Sequence, residues 1–333
     1  MKKLLVSPAP HIHGKERTDK LMRDVIIALS PSLVVSIYFF GLSAFKLMLA
    51  AVAAAVLLEY LIGKYLMKTK VSVNDYSAVV TGLLLALNLP PSAPWWIAVI
   101  GSAVAIGIAK MTFGGLGQNL FNPALVGRVF LLVSFPVIMT DWSIPDALFA
   151  AAPDAASGAT ALSIVKEGLS QGLTMDQIFA ANNFSYAEML LSKIGGSVGE
   201  VSSLALIIGF IYLLARKVIT AHIPVTIIVT VFLTTGIFYL ADPLHYPDPI
   251  FSLLTGGIML GAIFMATDYV TSPMSKKGMV IFGAGIGLIT VIIRYFGAYP
   301  EGVSFAILIM NATVPLINIY FKPKKFGKEV NNG

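Results

Sequence analysis

The sequence predicts an all-α integral membrane protein of about ten transmembrane helices, arranged as two inverted five-helix repeats with broken helices. Three observations predict it. Hydrophobic residues make up 57% of the 333-residue chain and charged residues only 12%, whereas soluble domains carry about a quarter charged residues. Apolar stretches of membrane-spanning length recur along the chain. Two of these stretches echo each other, each leading through a Gly-rich polar break into the next.

Residues 1–23 form a polar, basic arm carrying Lys2, Lys3, Lys15, Arg17, Lys20 and Arg23. No small-x-small site follows it, so a cleavable signal is not expected. His11 and His13 in this arm are a weak metal signal, and a terminal polar arm is the better reading. A bilayer core of about 30 Å calls for roughly 20 apolar residues per helix. On that measure the spans are expected near 24–42, 45–63, 76–90, 94–111 and 123–140, then 200–215, 221–241, 250–266, 279–297 and 302–321. The third is short. The stretch 141–199 is expected to be a long extracytoplasmic loop, and 322–333 a cytoplasmic tail.

Basic residues fix the expected orientation, because Lys and Arg concentrate in cytoplasmic loops. With the N-terminus inside, the inner loops hold Lys64, Lys68 and Lys70, then Lys110, then Arg216 and Lys217, then Lys276 and Lys277. The tail adds Lys322, Lys324, Lys325 and Lys328. The long loop has only Lys166 and Lys193 against six acids, including Asp154. Both termini are therefore expected in the cytoplasm. The net charge of +6 reflects this loop bias and implies no nucleic-acid partner. Trp95, Trp96 and Trp142 suit the interfacial belt.

The repeat pairs Thr81-Gly82-Leu-Leu-Leu-Ala with Thr255-Gly256-Gly-Ile-Met-Leu. Beyond these, Gly107, Lys110, Phe113-Gly114 and Asn122 correspond to Gly287, Arg294, Phe296-Gly297 and Met310-Asn311. Five spans per half is odd, so the halves are expected to be inverted.

Cysteine is absent, which removes thiolate ligands for an iron–sulfur cluster. An organic cofactor must carry electrons if the chain moves them. Four candidate sites follow. Thr160 stands in Asp154-Ala-Ala-Ser157-Gly158-Ala159-Thr160, where small neighbours leave its hydroxyl open to a modifying enzyme. Asn119 and Asn122, in the break Phe113–Arg128, offer donors and acceptors to a flat heteroaromatic edge, with a tight structural turn the alternative. Arg128, inside the next span, must pair or face water. Asp268, beside Thr267, Thr271 and Ser272, suits a cation or a flavin imide, or else caps the next helix or pairs with Lys276. Glu200 is read as an acid opening a helix at its favourable N-terminal end, and Asp75 likewise.

Together these segments resemble the D subunits of Rnf complexes and their relatives, the B subunits of sodium-pumping NADH:quinone reductases. The resemblance rests on Ser7-Pro8-x-Pro-His11-Ile12, Asp75–Pro91, Phe113–Arg128, Ser157-Gly-Ala-Thr-Ala-Leu162, Gly199-Glu200, Phe264-Met-Ala-Thr-Asp268 and Glu301–Asn311, in order along nearly the whole chain. It implies FMN joined through its phosphate to Thr160 by an exported flavin transferase, which requires Thr160 to be extracytoplasmic. It also implies a second, non-covalent flavin, riboflavin, for which Asn119, Asn122 and Asp268 are the candidate residues. The family passes electrons between ferredoxin and NAD, coupled to Na+ or H+ movement. Its other subunits, among them an outward-facing flavoprotein and iron–sulfur proteins, carry the remaining centres. The short N-terminal lead favours the Rnf type over the quinone-reductase type. A flavin-free secondary transporter is the competing expectation, since inverted repeats with broken helices are common there.

Overall fold

The computed structural model describes residues 17–68, 73–143, 157–182, 184–191, 195–200 and 202–322. His11, His13, Lys70, Asp154, Lys193 and the tail beyond Lys322 lie outside them. The described chain is helical apart from one two-residue strand pair, β1 (Trp142–Ser143) with β2 (Ser157–Gly158), which are antiparallel. Five helical stretches are long and apolar enough to cross a membrane: Thr18–Leu66, Trp95–Phe113, His222–Ala241, Lys276–Phe296 and Val303–Tyr320.

Helix α1 (Thr18–Leu61) runs on through a π-helical turn, Ile62–Leu66. At 1.5 Å per residue, straight, this would reach roughly 70 Å, more than two bilayer cores. Gly41 breaks it, at φ 62° and ψ −141°, a conformation open to glycine alone. The two expected spans therefore occupy its two arms. The buried positions Ala28, Leu29, Ser32 and Ser36, then Ala44, Leu47, Met48, Ala51, Ala55 and Glu59, recur at three or four residues, the spacing of one helix face.

Next come α2 (Ser77–Leu87), α3 (Trp95–Ala103) with its π-helical extension Val104–Ile108, α4 (Pro123–Ser134) and the short α5 (Pro136–Met139). At 11 residues α2 is only half a span, as its short apolar run predicts. Asp75 Oδ1 accepts from Ser77 N (2.8 Å) and Ser77 Oγ (2.6 Å), so it does cap the start of α2. The second arm of α1 packs on α2 and α3. Ser102 Oγ donates to Ala51 O, and Gly82 lies so close to Val52 that a Cβ there would meet its backbone at 2.8 Å.

The stretch 141–199 is more than a loop. It holds α6 (Ala161–Ser170), α7 (Met175–Asn182) and α8 (Tyr186–Leu191). Leu162, Val165, Met175, Ile178 and Met189 close over Phe251 in an apolar cluster of their own. The sequence hides this because the cluster is completed by a residue some 60 positions beyond the strand pair's return and outside the stretch altogether. Trp142, expected in the interfacial belt, is 5% exposed, while Trp95 is 65% exposed. Pairing of β1 with β2 turns Trp142 inward.

Helices α9 (Ser203–Ala215), α10 (His222–Ala241), α11 (Pro249–Leu254), α12 (Ile258–Leu260, extended by a π turn over Gly261–Met265), α13 (Lys276–Phe296) and α14 (Val303–Tyr320) follow. Their contacts mirror the earlier ones. The second arm of α1 packs on α2 and α3, and α3 on α4; α10 packs on α11 and α13, and α13 on α14. Between the halves, α1 packs on α9 and α4 on α14. Glu200 does not open α9. It lies in the preceding turn, and Ser202 is the cap, accepting from Ala205 N.

Candidate functional site

The strand pair delivers the chain to Thr160, the N-cap of α6. Thr160 Oγ1 accepts from Ser163 N (3.1 Å) and hydrogen-bonds Ser163 Oγ (2.8 Å). The residue is 5% exposed, so its hydroxyl is not open as its small neighbours predict. Ala159 alone of those neighbours is described as exposed. The reason is tertiary: the amphipathic α6 buries Ala161, Leu162 and Val165 and pulls its own first residue down with them.

Around Thr160 lies a small pocket walled by Gly195, Gly196, Glu200, Thr255 and Gly256. Gly256 and Gly257 both have positive φ, +67° and +68°, and break α11 from α12. A Cβ on Gly256 would meet Leu162 at 2.3 Å and Arg294 at 2.5 Å, and one on Gly257 would meet Glu200 at 2.8 Å. Arg294, 6% exposed, donates to the carbonyls of Ser252 (2.6 Å), Thr255 (2.7 Å) and Gly256 (3.1 Å). It thus satisfies carbonyls that the end of α11 leaves without helical partners. Nearby, Lys166 donates to Gly297 O, and burial holds its pKa below the ordinary lysine value. On the same side Asp248 accepts from the Tyr186 hydroxyl, whose pKa is raised by burial and by that carboxylate.

A second polar region lies at the opposite ends of the helices. One cleft, with about 790 Å³ of space including its mouth, is lined by Asn119, Asn122 and Asp268 together with Lys110, Ser77 and Thr267. The three candidates from separate breaks thus share one wall system. Asn122 is largely committed to the protein: its Oδ1 caps α4 at Leu125 N (3.3 Å) and its Nδ2 donates to Met265 O (3.1 Å). Asn119 donates to Phe121 O (3.1 Å). Asp268 is half-buried and accepts from Thr271 Oγ1 (3.2 Å) and Val270 N (3.4 Å). It does not cap the following helix, because Ser275 does, accepting from Gly278 N. Among the described residues no ion pair joins it to Lys276.

Lys110, placed by the charge pattern in a cytoplasmic loop, is 2% exposed. Its Nζ lies 2.6 Å from Glu59 Oε2 and 2.6 Å from Ser77 Oγ. The signal for this pair is a lone acid, Glu59, within an apolar run, where an ionisable group marks function or a partner. Arg128, 3% exposed, is paired as required, with Glu301 and with Asn88 Oδ1 (2.6 Å).

A family model described as "NQR2, RnfD, RnfE family" matches residues 5–327. The chain belongs to the NQR2, RnfD, RnfE family. Its relatives in that family include the D subunit of the Na(+)-translocating ferredoxin:NAD(+) oxidoreductase complex of Acetobacterium woodii, 46% identical over 326 residues, covering 97% of this chain and 95% of the relative. The D subunit of the proton-translocating ferredoxin:NAD(+) oxidoreductase complex of Clostridium ljungdahlii is 43% identical over 323 residues, with 97% and 96% covered. The D subunit of the ion-translocating oxidoreductase complex of Stutzerimonas stutzeri is 41% identical over 335 residues, with 94% and 93% covered. Similarity to the NQR2, RnfD, RnfE family therefore runs through both polar regions and the helices that join them.

Proposed function

We propose that this chain is the D-type membrane subunit of an ion-translocating ferredoxin:NAD oxidoreductase, with FMN esterified to Thr160 and riboflavin in the cleft of Asn119, Asn122 and Asp268. The observation that carries the reading is identity of 41–46% over nearly the full length with three subunits so named. The names favour the Rnf type over a quinone-reductase B subunit. Partners on this reading are an outward-facing flavoprotein subunit, iron–sulfur subunits, the exported flavin transferase, and Na+ or H+ as the coupling ion.

The residues present suit both groups. Thr160 begins a ten-residue helix, whose free N–H groups and dipole favour a phosphate. Glycines at 195, 196 and 256 leave its pocket without side-chain bulk on those walls. Because the hydroxyl is buried, the segment must open at Thr160 for a transferase to reach it. The cleft offers a carboxylate and an amide to a heteroaromatic edge within an apolar surround, the usual make-up of a cofactor site. An isoalloxazine takes one or two electrons, and the protein tunes its potential by the groups near its ring. Asp268 and Asn119 orient it; the apolar wall, including Phe264, excludes water.

The reading also takes the fold as ten spans in two inverted repeats, both termini cytoplasmic and Thr160 outside. The matched contacts support this, as does a reciprocal pair of contacts between α4 and α14. Arg128, inside α4, reaches Glu301 just before α14; Asn311, inside α14, accepts from the backbone N of Asn122 at the start of α4 (3.1 Å). An axis exchanging the halves requires such reciprocity.

In-gel flavin fluorescence of the denatured chain, produced with and without a flavin transferase, tests the assignment, with peptide mass mapping to locate FMN. Fluorescence with FMN mass on the peptide containing Thr160 is expected. A dark band despite an active transferase would move the reading to a flavin-free transporter.

A further inference from the structure

We infer that Lys110, paired with Glu59, is a positioning residue for the cleft: its ammonium supplies the positive charge and the free N–H that hold the electron-rich edge of a flat heteroaromatic bound there. The inference rests on the riboflavin reading of that cleft and assigns it a group that neither periodicity nor motif singled out.

Three observations on Lys110 carry it. Its side chain is 2% exposed yet lines the cleft, on a wall shared with Ser77 and facing the same space as Asn119 and Asp268. An ammonium has three N–H donors. Two are used, on Glu59 Oε2 and Ser77 Oγ, both at 2.6 Å, and the third makes no hydrogen bond among the described residues. The charge is also held stiffly. Glu59 comes from the second arm of α1 and Ser77 from the start of α2; Ser77 Oγ in turn donates to Asp75 Oδ1 (2.6 Å). Three elements thus fix one cation at the cleft.

A purely structural ion pair would need no cleft beside it, and apolar packing of the same volume serves stability as well. A fixed cation at a redox site has a distinct consequence. Charges interact strongly where water is excluded, so Lys110 favours the reduced, electron-richer form of a bound ring, and Glu59 partly offsets it. The two residues must therefore shift a potential in opposite directions.

The test uses the full chain carrying Thr160→Val, so that any remaining flavin is the non-covalent one, titrated spectroelectrochemically across pH. In Glu59→Gln the midpoint potential is expected to rise, because Lys110 is no longer offset. In the neutral pair Glu59→Gln/Lys110→Met, which leaves no buried charge unpaired, it is expected to fall below the parent. The riboflavin dissociation constant of that pair should rise roughly tenfold or more, the worth of a charge-assisted hydrogen bond. Lys110→Arg, which keeps the charge, should restore most of the potential. Flavin retained with an unchanged potential in both Glu59→Gln and the neutral pair overturns the inference alone. Absence of any non-covalent flavin from the parent chain overturns the cleft reading and the inference with it.

Discussion

Thr160 shows how one side chain can hold two roles. It caps α6 through Ser163 N, and it is the hydroxyl proposed to carry FMN. Thr160→Val should abolish covalent flavin, read as loss of in-gel fluorescence and of FMN mass on the peptide. Loss of the cap should also cost about 1 kcal/mol in the first turn of α6, seen as faster hydrogen exchange over residues 161–165. Thr160→Ser keeps both a cap and a nucleophilic oxygen, so it should retain flavin and slow exchange. A Val variant with full covalent flavin would refute the attachment site, whereas unchanged exchange would refute the cap.

Helix contacts depend on glycine wherever two backbones touch. Gly209 of α9 faces the first arm of α1, and a Cβ there would stand 2.3 Å from Ala28 O. Backbone cannot yield as a flexible side chain can, so Gly209→Ala must push α9 from α1. Overpacking of this kind costs about 1–3 kcal/mol. The expected result is a lower thermal unfolding midpoint in detergent. By contrast Gly107, whose nearest neighbour would be Ile62 Cδ1 at 3.7 Å, should accept Ala with little change. Equal midpoints for the two variants would show that the α1–α9 approach is not close.

Taken as one molecule, the protein is tied at its centre by Arg128, Asn88 and Glu301, all buried. Arg128→Met strands Glu301 in an apolar surround, a loss of about 3–5 kcal/mol, read as a collapse in folded yield. Arg128→Met/Glu301→Gln leaves no lone charge and should recover much of that yield; a double variant no better than the single one would contradict the pairing. Orientation is testable because the chain has no cysteine. Single cysteines at Ser170 and Lys277, both exposed, should react with a membrane-impermeant maleimide from opposite sides of intact cells. Labelling of both from the same side would reject the proposed topology.

The sequence by itself determined the helical membrane class, the places where helices break, and the family. Apolar run length, Gly-rich punctuation and the pairing demanded of Arg128 are local properties, set by what lipid does to an exposed backbone or charge. Even the half-length of α2 was readable, because its apolar run is short. What only the tertiary structure decided was which groups meet. Glu59 and Lys110 are 51 residues apart, and Asn122 and Met265 are 143 apart. No periodicity joins such positions. A basic residue after an apolar run reads as a loop charge until a partner from another helix is seen beside it. Thr160 reads as an open hydroxyl until α6 buries its apolar face and carries its cap inward. Chain-local chemistry sets what each segment can be, but burial and pairing are pairwise quantities, fixed only when the helices pack.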